Sequence, residues 1–246
     1  MTQLVGMLAA LAAAIARGEP FPAVADIGLA VVAGLAGVAG ITMLYRGLAE
    51  GRMGVVAPTS ALLAATIPVV VGFAREGVPP PVVIGGVVLA MLAVVLVTRA
   101  PGAQADHPSG IKWGLAAGLA FGCFYVAIGG LSGATAMGPL VVVRLVQAAL
   151  MATVIVAWRQ PWRMPGTVVW RLVGIGLLDM IGNAAFILAS QTGQLAIAAV
   201  LSSLYPVTTV ILAIVVLRER LTRSHVAGIA LTAVAIAMIA GGSAAA

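Results

Sequence analysis

Apolar residues run through this chain in nine long blocks, and the polar residues collect in the short gaps between them. The blocks are 1–16, 27–45, 54–74, 82–98, 113–131, 139–158, 167–190, a segment that opens after 194, and 224–240. None alternates residue by residue as a strand would, and most approach the roughly 20 apolar residues a helix needs to cross a bilayer. They predict nine transmembrane helices, because lipid offers the backbone no partner outside its own helix. Met180 to Leu217 holds 38 residues without a charge, too many for one crossing, and Gln191-Thr192-Gly193-Gln194 is the expected break. Pro79-Pro80-Pro81 must open a helix or lie in a loop. Residues 17–26 are expected to form a polar turn. Residues 1–16 are expected as a short span; the rival reading, a signal peptide, wants a basic leader that is missing. Gly34, Gly37 and Gly40 on the second block, and Gly114, Gly118 and Gly122 on the fifth, predict faces where helices approach closely.

Composition narrows the class. The chain has 246 residues, 62% of them hydrophobic and 8% charged, with mean hydropathy +1.17. Soluble domains carry about 25% charged residues, so the expectation is an all-α polytopic protein integral to a bacterial-type plasma membrane. The formal charge of +6 comes mostly from basic residues at the ends of apolar blocks, where membrane orientation accounts for them and nucleic acid binding does not. A single cysteine, Cys123, excludes an internal disulfide and a thiolate metal cluster, and it is expected to pack in the core. His107 and His225 have no ligand spacing. No catalytic motif is present, so no enzyme activity, cofactor or metal is expected.

The blocks repeat. Ser60 and Ser203, Arg75 and Arg218, Glu76 and Glu219, and Gly85 and Gly228 each stand 143 positions apart. Gly40 and Gly182, and Gly51 and Gly193, stand 142 apart. A period this long is a duplicated half-protein rather than a solenoid unit. The expected division is a first repeat over 1–99, a linker over 100–110, a second repeat over 111–241 and a tail over 242–246. The offset places residues 1–16 opposite the second span of the later copy, so the first copy lacks its opening helix and a late or truncated start is expected. Five crossings per repeat is odd, which sets the two copies upside down relative to each other. Ten basic residues fall in the loops of one side and only Arg17 and Arg75 in those of the other. The positive-inside bias then places the carboxyl end outside.

Few side chains could carry chemistry. Asp179 is the one acidic residue well inside a block, with Asn183, Phe186 and Ser190 continuing its helical face. Such a carboxylate faces a cavity or a partner. It reads either as a solute- or proton-binding group or as the counter-ion that ties its helix to Arg144. Arg144, with Gln147 on its face, reads as a carboxylate-binding group, as that same counter-ion, or as a side chain snorkelling to the interface. Ser202, Ser203 and Tyr205 precede or adjoin Pro206, which frees a helix carbonyl and makes a polar notch. The plainer alternative is that the serines bond back to their own helix. Thr59 and Ser60 echo the notch in the first copy. Tyr45 and Tyr125 are candidate pathway residues, or interface-belt tyrosines.

Three segments then carry a resemblance: LSSLYPVTTVILAIVVLRERLTRSHVAG (Leu201 to Gly228), LLDMIGNAAFILASQTG (Leu177 to Gly193) and LYRGLAEGRMGVVAPTSALLAATIPV (Leu44 to Val69). The chain resembles the EamA type of the drug/metabolite transporter superfamily. The resemblance implies ten helices in two inverted five-helix repeats around a central cavity, of which nine are expected here. It implies secondary transport, export or uptake, of small metabolites such as amino acids or of drug-like solutes, without ATP; export is the expected direction. It also implies both ends in the cytoplasm, against the charge count, so orientation stays open. The expected partners are a small solute, protons and the lipid bilayer, with a homodimer as an open alternative and no nucleic acid. The other functional class left standing is a non-transporting membrane scaffold or an inactive fragment truncated at its amino end.

Overall fold

The computed structural model describes residues 1–51, 53–98, 110–132, 135–157, 159, 166–192, 194–202, 204 and 223–244. Ser203, Tyr205, Pro206, the charged turn at Arg218-Glu219-Arg220, Arg52, Arg99, Arg163 and linker residues 100–109 lie outside the described residues. Among the described residues there are nine helices and no strand: α1 (Thr2–Ala16), α2 (Val24–Glu50), α3 (Met53–Glu76), α4 (Pro81–Thr98), α5 (Ile111–Gly129), α6 (Met137–Ala157), α7 (Gly166–Ser190), α8 (Leu195–Ser202) and α9 (Arg223–Ala244). Five of them, α2, α3, α5, α6 and α7, are long and apolar enough to cross a membrane, and α1, α4 and α9 carry shorter apolar stretches. The protein is an all-α, multi-pass integral membrane protein.

Local signals set most helix ends. Pro81 opens α4, where its missing N–H costs nothing, and the Pro80 carbonyl accepts from Val83 and Ile84. Gly18 and Gly77 follow α1 and α3 with φ of +61° and +91°, the left-handed conformation that stops a helix cheaply on glycine. α7 ends at Ser190 and α8 begins at Leu195, so the uncharged 38-residue stretch breaks where its one polar cluster stands. Two ends differ from expectation. α2 begins at Val24, inside the stretch read as a turn, and the buried Asp26 carboxylate in its first turn accepts from the backbone N–H of Ser132 (3.0 Å) and from its hydroxyl. It also runs past Arg46 to Glu50, where Arg46 donates to Glu50 at 2.9 Å and the Trp113 indole donates at 3.0 Å.

The chain divides into two compact units, Met1–Ala39 with Phe124–Gly193, and Gly40–Cys123 with Gln194–Ala246. The division falls within α2 and α5. In the first unit α1 packs on α6 and α7. Its small residues Gly6 and Ala10 face inward, while Leu4, Leu8, Leu11 and Ile15 face outward. A protein in water would reverse that choice; in lipid the large side chains lose nothing outside, and small ones inside bring backbones together. In the second unit α5 lies along α3. Cβ atoms added at Gly114, Gly118 and Gly122 would stand 3.0 Å from Thr59, 2.7 Å from Leu63 and 2.5 Å from Ile67. The glycine ladder is therefore a packing face, as its spacing predicts.

Helices far apart in the chain touch within each unit. Gly86 lies against Ile239 and Gly242 against Val83, so α4 and α9 run antiparallel. At the end of α1, Glu19 Oε2 accepts from the backbone N–H groups of Ala136, Met137 and Gly138 at 3.2, 2.9 and 3.2 Å, capping α6. At the end of α3, the Glu76 carboxylate accepts from Leu195 N–H at 3.1 and 3.0 Å, capping α8. In both units a carboxylate at or just past the end of one helix accepts from backbone N–H at the start of another, three amides for Glu19 and one for Glu76.

Cys123 corrects an expectation: it is exposed, not in the core. An apolar helix in lipid is greasy on every side, so apolar surroundings in sequence cannot separate an inward residue from a lipid-facing one.

Candidate functional site

Among the described residues the first unit holds one buried cation. Arg144, in the second turn of α6, is 3% exposed, and its Nη1 pairs with Asp179 Oδ2 of α7 at 2.6 Å. The same nitrogen donates to Gln3 Oε1 of α1 at 2.8 Å and to Gln147 Oε1, one turn along α6, at 3.2 Å. Nε and Nη2 are buried and have no hydrogen-bond partner among the described residues. The Asp179 side chain is 51% exposed. Asn183 donates Nδ2–H to the Asp179 carbonyl at 2.8 Å and to Oδ1 at 3.3 Å, so the face Asp179–Asn183 forms one polar surface on α7.

Glycines make this convergence possible. A Cβ at Gly176 would stand 2.6 Å from the Thr2 carbonyl oxygen, and one at Gly6 would stand 3.3 Å from Arg144 Nε. α1 and α7 thus meet backbone to backbone over the guanidinium. A Cβ at Gly37 of α2 would stand 2.5 Å from Gln147 Nε2, so the glycine ladder of α2 also makes room for a polar side chain. The counter-ion expectation for Arg144 and Asp179 is met in geometry, yet the pair uses only one edge of the guanidinium and leaves half of the carboxylate side chain open.

The other candidates are distributed. Tyr125 belongs to this unit, its ring 4.8 Å from Phe186 and 5.4 Å from Phe124. Tyr45, Thr59, Ser60 and Ser202 belong to the second unit. Tyr45 is exposed, Thr59 is half-buried against Gly114, and Ser202 is half-buried at the end of α8. Ser60 is fully buried beneath Gly118, and its hydroxyl has no partner among the described residues. Ser203 and Tyr205 lie outside the described residues.

Sequence reasoning missed Gln3, lost in an apolar block, and left Glu19 and Asp26 as loop residues. One signal was available: the repeat offset sets α1 opposite α6, so a polar residue on α1 could have been weighed against Arg144. Among the described residues no three His, Cys, Asp or Glu side chains gather to hold a metal ion.

Comparison with known proteins agrees with the fold. The sequence model of the EamA-like transporter family matches residues 108–241. A solved crystal structure is similar at 20% identity and TM-score 0.73, over 99% of this chain and 85% of that one. No curated protein sequence matches.

Proposed function

The chain belongs to the EamA-like transporter family, and from that premise we propose that it moves a small polar solute across the membrane by secondary transport, in the export direction, through alternating access between inverted repeats. The observation that carries this is the Arg144–Asp179 pair: a cation 3% exposed joined to a carboxylate 51% exposed, halfway along an apolar helix. A buried pair that only joins two helices offsets its desolvation cost when every remaining donor and acceptor is bonded. Here Asp179 and Asn183 keep polar surface to offer a solute or a proton, and Arg144 steadies the carboxylate's charge. In this reading Thr59 and Ser202 of the second unit offer further hydroxyls to the solute, as do Tyr45 of that unit and Tyr125 of the first, whereas Ser60 is packed beneath Gly118. A proton gradient drives the cycle in this reading. The protein works as a carrier and not as an enzyme, and it works as a single chain or as a homodimer.

The test begins with the culture medium of an overexpressing and a deletion strain, whose difference in metabolites identifies the solute. Flux of that solute into proteoliposomes then compares the native protein with Asp179→Asn. Loss of the response to an imposed pH gradient is expected. Normal flux with unchanged pH dependence would make Asp179 a structural residue only.

A further inference from the structure

Arg144 uses its donors unequally. All three acceptors, on Gln3, Gln147 and Asp179, are reached from one nitrogen, Nη1. Nε and Nη2, which together form the side edge of the guanidinium, are buried without a partner among the described residues. Burying charged N–H groups unpaired carries their desolvation cost with nothing returned, so such an edge persists where something else fills it. The edge is a planar fork whose two parallel donors match the two oxygens of a carboxylate. What covers it is α1: Gly6 lies against Nε, and the Gln3 bond to Nη1 holds the helix there. The far end of α1 is tied separately, through Glu19 to the start of α6.

Charge adds a second constraint. Arg144 and Asp179 cancel, so a carboxylate on the unpaired edge leaves the cluster with one net negative charge. One positive charge balances it, either an ammonium on the same solute beside the half-exposed Asp179 carboxylate, or a proton on Asp179 itself.

We infer that the Nε–Nη2 edge of Arg144 is the docking fork for a carboxylate on the solute, and that α1 is its cover. The inference rests on the reading of this cluster as the solute site. Gln3 adds a hydrogen bond to the packing of α1 on α6 and α7, and opening requires that bond and the Gly6–Gly176 contact to break while the Glu19 end stays anchored. A mutation that weakens the hold therefore raises the population of the open state and the apparent affinity with it.

The experiment uses the full chain in nanodiscs and isothermal titration with three probes of one size: butyrate, its neutral amide butyramide, and the zwitterion 2-aminobutyrate. Carboxylate probes are expected to bind and butyramide is not. Binding of butyrate with uptake of a proton assigns the accompanying charge to Asp179; pH-independent binding of 2-aminobutyrate alone assigns it to the solute. Arg144→Lys, which keeps the charge and loses the fork, is expected to weaken binding about tenfold or more, the worth of one charge-assisted hydrogen bond. Gln3→Ala is expected to bind the same probe severalfold tighter, whereas a residue that merely shapes the site would bind it more weakly. Butyramide binding as tightly as the carboxylates, no carboxylate binding at all, or unchanged affinity in Arg144→Lys overturns the fork. Weaker binding in Gln3→Ala overturns the cover. If Arg144→Lys does not fold, the amide comparison and Gln3→Ala still decide. Carboxylate-selective binding without flux of any solute would defeat the transport reading and leave the fork standing. Flux of a solute lacking a carboxylate would do the reverse.

Discussion

Glu19 offers the cleanest measure of how the first unit is held together. Its side chain is 8% exposed, and one oxygen accepts from three backbone N–H groups at the start of α6. Arg17 stands 3.3 Å from the other oxygen but is 58% exposed, so that ion pair contributes little. Two effects are lost together in Glu19→Ala. Removal of an N-cap acceptor costs about 1 kcal/mol, and removal of a negative charge from a helix N-terminus costs about 0.3–1 kcal/mol, more where it is partly buried. The expected sum is about 2 kcal/mol. Glu19→Gln keeps an acceptor oxygen and loses only the charge, for about 0.5–1 kcal/mol. At about 2–4 °C per kcal/mol for a chain of this size, thermal unfolding of the purified protein should drop by about 4–8 °C for Ala and about 1–4 °C for Gln. Arg17→Ala should stay within about 0.5 kcal/mol. Equal losses for Ala and Gln would mean that packing, not capping, is what Glu19 supplies. No loss in either would mean that the contact adds nothing to stability.

Two further outcomes test the packing. Gly118→Leu puts its Cβ 2.7 Å from Leu63 and 2.8 Å from the Ser60 carbonyl oxygen, so α3 and α5 must part; unfolding should show a loss of about 1–3 kcal/mol or more, while Gly182→Ala, with nothing within 4 Å, should be neutral or slightly stabilising. Cys123→Ala should change stability by no more than about 0.5 kcal/mol because the thiol is exposed, and a loss above about 2 kcal/mol would return it to the core.

The sequence alone determined what depends on one stretch at a time. Apolar block length located the helices, because backbone in lipid must bond within its own segment. Pro81 and the break after Ser190 marked helix ends through local chemistry, and glycine spacing marked the close-packing face of α5, because a missing side chain acts on whatever neighbour is there. Only the tertiary structure decided who the neighbours are. Glu19 and Asp26 looked like turn residues until one was found at the start of α6 and the other against Ser132, and nothing local to Glu76 pointed to the start of α8. Gln3 was one polar residue in an apolar block until α1 lay across Arg144. Cys123 shows the same limit from the other side. In water, hydrophobicity reports which face is buried; in lipid both faces are apolar, so inward and outward are settled by contacts between helices far apart in the chain, and no periodicity within one helix records them.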